Sequence, residues 1–100
     1  MSQETDPQFY DRADAHINLS NDQIADDVGR GKVSASMLYA TSRFNAWVSA
    51  TGFDSSDAMK AGREEALGFF TAQYRLMLEE NFDDYSANFD RYMATRKSDV

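Results

Sequence analysis

The sequence predicts an all-α fold, a small helical bundle of three long helices plus a shorter C-terminal helix. Apolar side chains recur at helical spacing in successive stretches, and turn signals separate the first three of them at Gly29-Arg30-Gly31 and Gly52-Phe53-Asp54. Seven Phe, five Tyr and one Trp in 100 residues supply enough large apolar surface for one core and too little chain for two. The expected organisation is a disordered N-terminus at 1–5, a single helical domain over 6–96 and a loose C-terminus at 97–100.

The first helix opens at Asp6-Pro7. Asp6 can accept hydrogen bonds from free N–H groups of the first turn, and Pro7 lacks only an N–H that would go unused there. At about 100° per residue, Phe9, Ala13, Ile17, Ser20, Ile24 and Val28 share one face, with Asp11, Asp14, Asn18, Asp22 and Asp26 opposite. This predicts an amphipathic helix of about 22 residues, closed by Gly29-Arg30-Gly31 with a glycine in the left-handed region.

The second helix is expected from about Lys32 to Thr51. Val33, Met37, Ala40, Phe44, Trp47 and Val48 form its main apolar face, but Ala35, Leu38, Tyr39, Ser42, Ala46 and Ser49 stand where charges would be usual. A helix apolar nearly all round is one buried on more than one side, and its small residues permit close approach. It is read as the central helix, flanked by acidic partners.

Ser55 or Ser56 caps a third helix that carries Met59, Ala66, Phe70, Tyr74 and Met77 along one stripe, widened by Leu67 and Leu78. Beyond Asn81 the stripe resumes as Phe82, Tyr85, Phe89, Tyr92 and Met93, displaced by about 100°, which is one residue of register. A kink or break near 79–84 is therefore expected, with a short aromatic helix running to about Arg96. An unbroken helix from Ser56 to Arg96 would reach about 60 Å, twice the diameter of roughly 30 Å expected for a domain of this size. Either the segment folds back or a second chain covers it.

Charge narrows the function classes. The net charge is −7, which repels a phosphate backbone and argues against nucleic acid as a partner. Residues 1–29 hold seven acids and one base, residues 30–52 three bases and no acid, and residues 53–100 ten acids and six bases. The middle segment is thus the electrostatic complement of both flanks. With no cysteine there is no disulfide, thiolate metal site or thiol nucleophile. The acidic start and the absence of a long apolar run lead to the expectation of a bacterial cytoplasmic protein without membrane spans.

Candidate chemistry is sparse, and no cofactor motif is present. His16 and Ser20 lie one turn apart, but no nucleophile elbow or glycine-rich oxyanion loop accompanies them, and they read as a border histidine and a helix serine. The carboxylates lack the Glu-x-x-His pairs of a helical metal site, and Asp54-Ser55-Ser56-Asp57 lacks the glycine and terminal glutamate of a calcium loop. Gly29-Arg30-Gly31-Lys32-Val33-Ser34 departs from a phosphate loop, with valine after the lysine and Asp26 in place of the first glycine. Arg30 and Lys32 at a helix start, with Arg43, remain a candidate anion site. Leu38, Tyr39, Trp47, Phe82, Phe89 and Tyr92 are the candidate interface or core anchors.

Three stretches carry a family likeness: Phe9-Tyr10-Asp11-Arg12-Ala13-Asp14; Lys32-Val33-Ser34-Ala35-Ser36-Met37 followed by Arg43-Phe44-Asn45-Ala46; and Tyr74-Arg75 through Asn88-Phe89-Asp90-Arg91-Tyr92-Met93. Over about Pro7 to Met93 the chain resembles a family of small proteobacterial helical proteins of unknown function. The resemblance implies a standalone bacterial helical domain and carries over no activity, cofactor or functional residue. The leading expectation is a small cytoplasmic interaction or accessory protein that self-associates, a homodimer, without enzymatic activity. The alternatives are a small-ligand (anion) binding protein or enzyme with a pocket between aromatic helices, and an acidic nucleic-acid mimic that binds a basic partner.

Overall fold

A computed structural model of the chain describes residues 6–98. The fold is all-α, with five helices in the described residues: α1 (Phe9–Gln23), α2 (Arg30–Ala50), α3 (Ser56–Ala61), α4 (Arg63–Ala87) and α5 (Phe89–Ser98). The expectations for 1–5 and for Asp99 and Val100 lie outside the described residues, while α5 extends through Lys97 and Ser98. The chain divides into two compact units, one ending at Val48 and the other beginning at Ser49.

In the first unit Asp6 sets the start of α1. Its carboxylate accepts the Gln8 N–H at 2.9 Å and its carbonyl accepts the Phe9 N–H at 3.0 Å. The Arg12 guanidinium donates back to the same carboxylate at 2.7 Å, and this bond, then the Gln8 N–H, lowers the Asp6 carboxyl below its ordinary 3.8.

α1 ends five residues earlier than the periodicity suggests. Ile24 turns extended, with φ −75° and ψ 128°, and Ala25 and Val28 exchange N–H···O bonds of 3.0 and 3.1 Å around Asp26-Asp27. Continuing the helix would have placed Asp22, Asp26 and Asp27 among its last carbonyls, where negative charge is unfavourable, and Asp is a good turn residue. Ile24 and Val28 therefore leave the helical face. Gly29-Arg30-Gly31 does not close α1, and neither glycine takes a positive φ. The Gly29 carbonyl instead accepts the Lys32 and Val33 N–H groups at 3.1 and 3.3 Å, so the tripeptide opens α2.

α2 buries Val33, at 4% exposure, the one buried hydrophobic of the described chain. Met37 is half-buried beside α1, where its sulfur accepts the Ser20 hydroxyl at 3.3 Å. The expected burial of α2 on two sides is not made among the described residues.

In the second unit the turn after α2 is held by the Gly52 and Phe53 N–H groups on the carbonyls of Ser49 and Ala50. Ser55 supplies the cap of α3, its hydroxyl oxygen accepting the Ala58 N–H at 3.0 Å. The third helix of the sequence reading is interrupted at Gly62, where φ is −90° and ψ 7°. A Cβ on Gly62 would stand 2.8 Å from the Phe53 ring, so the missing side chain is what lets that ring lie across the α3–α4 junction. α4 then runs unbroken through 79–84 for about 37 Å, and the break before the last helix stands at Asn88.

Candidate functional site

The three candidate anion ligands all belong to α2, and helix geometry keeps them apart. Lys32 and Arg43 share a face but lie about 16 Å apart along the axis, and Arg30 projects from nearly the opposite side. No small anion can be held by all three. Each is exposed and has no ion-pair partner among the described residues. His16 is exposed, and the Ser20 hydroxyl is directed to Met37, so these two side chains form no catalytic pair.

The aromatic anchors are placed differently from a core. Tyr39 is 66% exposed, Trp47 61%, Phe82 68% and Phe89 53%; Leu38 is also exposed and Tyr92 half-buried. Phe44 and Trp47 contact each other, with ring centres 5.5 Å apart, and both remain in solvent. Burying a Phe or Trp side chain is worth roughly 1.5–3 kcal/mol or more, so each exposed ring is a large unrealised gain. Apolar side chains surround most of α4 as well as α2, leaving neither helix a clean polar side.

The junction of α4 and α5 is the most connected cluster. Asn88 donates its side-chain N–H groups to the Asp84 carbonyl and carboxylate at 3.0 Å. The Tyr92 hydroxyl donates to the other Asp84 oxygen, its ring packs 4.6 Å from that of Tyr85, and the Arg91 guanidinium lies 5.0 Å over it. These contacts order a helix joint with side chains that could otherwise do chemistry.

A groove of about 380 Å³ in the second unit is lined by Ser49, Phe53, Gly62, Glu65, Ala66, Phe69 and Phe70. Of the third-helix stripe it uses Ala66 and Phe70, joined by Phe69, and not the residues from Tyr74 to Tyr92. Sequence reasoning missed Phe53 and Gly62 here; the available signal was a glycine interrupting a helical stretch one turn after Met59. Glu65 is its single ionisable lining residue, so the groove is apolar with a carboxylate at hand and offers an anion no cation. Among the described residues no three His, Asp or Glu side chains gather as a metal site, and no helix is long and apolar enough to cross a membrane.

What these features define is an all-helical protein in which large aromatic side chains of both units stand in solvent. A family model, Protein of unknown function (DUF3144), matches residues 9–86, and the chain belongs to that family. The matched span begins with α1 and ends one residue before the end of α4. No curated protein and no solved structure matches the chain.

Proposed function

We propose that this protein is a small interaction or accessory protein that acts as a homodimer in the cytoplasm of a bacterium. One observation carries the reading: Tyr39, Phe44, Trp47, Phe82 and Phe89 each keep more than half of their surface in water, while Val33 is the one buried hydrophobic among the described residues. Single exposed apolar residues need no explanation, but α2 by itself exposes Leu38, Tyr39, Phe44 and Trp47, and large apolar side chains exposed together mark an interaction surface. Aromatic side chains are the usual anchors of such surfaces, because they desolvate a large area with few rotatable bonds.

The protein partner is self in this reading, and the charge pattern supports it: the basic segment and the acidic flanks that answer it reside in one chain. The absence of cysteine fits a reducing compartment.

Light scattering on a sizing column, over a wide range of protein concentration, tests the proposal. A mass of twice 11.3 kDa is expected, together with a blue shift of Trp47 fluorescence as the dimer forms. A mass of one chain at every concentration overturns it.

A further inference from the structure

The self-association proposed above leaves open which surfaces meet. Along α2, Lys32, Ser36, Tyr39, Arg43 and Trp47 follow one another at spacings of four, three, four and four residues, a single stripe on the helix surface. All five residues are exposed, and among the described residues neither Lys32 nor Arg43 is ion-paired. It carries two cations, separated by eleven positions, and two large exposed rings.

α1 carries the matching surface. Asp11, Asp14, Asn18 and Asp22 follow at spacings of three, four and four residues, and Asp11 and Asp22 are also separated by eleven positions. In both helices eleven residues correspond to about 16 Å and to an angular drift of only about 20°. The two pairs of opposite charge therefore have equal separations. The equality holds whether two such helices run parallel or antiparallel.

The same chain cannot bring these stripes together. The half-buried residues of α1 are Phe9, Ala13 and Ser20, and Ser20 bonds to Met37 of α2, so the acidic stripe lies on the side of α1 away from α2. On α2, Lys32, Tyr39 and Arg43 likewise stand about 80° or more around the axis from Val33 and Met37, while Ser36 and Trp47 lie nearer to them.

We infer that the occupant is a second copy of this chain: the α2 stripe of each protomer docks on the acidic α1 face of the other, about a two-fold axis. Lys32 and Arg43 pair with Asp11 and Asp22 of the second copy, and the Tyr39 ring lies between the two ion pairs. A two-fold operator makes both contacts at once and closes the assembly, whereas a single contact repeated head to tail would give a filament. This inference rests on the homodimer reading and adds its geometry.

Charge exchange tests it. The Lys32→Glu/Arg43→Glu chain sets acid against acid in both contacts, and the Asp11→Lys/Asp22→Lys chain sets base against base. Each alone is expected to have a dimer Kd raised at least about tenfold, with helicity by circular dichroism unchanged. An equimolar mixture has one wild-type contact and one fully reversed contact, and is expected to dimerise as wild type does. If the wild type dimerises and the separate variants do so equally well, or the mixture stays monomeric, this docking is overturned while self-association stands. A wild-type chain that is monomeric throughout overturns both.

Discussion

The hydroxyl of Tyr92 donates a hydrogen bond to the Asp84 carboxylate at 3.0 Å, reaching back across Asn88, where α4 gives way to α5. The helical backbone bonding is carried through this joint, since the Asn88 N–H bonds the Asp84 carbonyl and the Tyr92 N–H bonds the Asn88 carbonyl. The side chains of Asp84, Asn88 and Tyr92 thus fasten a kink and do not cap a turn. Tyr92→Phe removes one bond and leaves the ring contact with Tyr85. The expected loss is about 0.5–1 kcal/mol, seen as a lower thermal midpoint and faster amide exchange over 88–93. Exchange rates equal to wild type would show that the bond fastens nothing.

Two glycines of the second unit predict opposite responses to alanine. A Cβ at Gly68, inside α4, meets nothing within 4 Å, so Gly68→Ala should raise stability by about 0.5–1 kcal/mol through helix propensity alone. At Gly62, between α3 and α4, the Cβ would enter the space of the Phe53 ring, and Gly62→Ala should lower stability by about 1 kcal/mol. Chemical denaturation of the two variants measures both signs; two gains would place the ring elsewhere.

Ser55 and Ser56 both read as candidate caps, and only Ser55 accepts the Ala58 N–H. Ser55→Ala should cost about 1 kcal/mol, while Ser56→Ala, at the first helical residue, should be close to neutral. Equal losses in thermal unfolding would contradict the assignment.

The Asp6 carboxyl should titrate below its ordinary 3.8, because Arg12 and the Gln8 N–H both favour the charged form. A depressed carboxyl contributes its full stabilisation above the unfolded value and loses it as pH falls through the folded one. The contribution of Asp6 to the start of α1 should therefore be complete above its ordinary 3.8 and fade as pH falls below it. Carbon-detected NMR titration checks this, and Arg12→Ala should return the Asp6 midpoint toward 3.8.

The helices were legible because long amphipathic or aromatic stripes dominate local structure, and α2 fell within two residues of its expected ends. The lost boundaries turned on residues with two uses. Asp26 fits the polar face of a continued α1, but its charge at a helix C-terminus and its turn propensity favour the Ala25–Val28 turn. Gly62 reads as a tolerated helix glycine until the Phe53 ring is placed against it. The register shift of the last aromatics was visible, yet the structure takes it up at Asn88, whose side chain bonds back to Asp84, after the place where the stripes diverge. Arg30, Lys32 and Arg43 are spread along and around one helix, a separation that the helical period itself dictates, whereas the exposure of the large apolar anchors is not readable from spacing.

Val33 as the one buried hydrophobic among the described residues has a kinetic consequence. Helices that depend chiefly on bonds to their own preceding turn form and reopen on microsecond scales, and among the described residues no deep core imposes a slow barrier to opening. In the proposed dimer, the lifetime of the chain among proteases is set by how much of it is bound at any moment. Dilution should shorten it, and abundance should protect it.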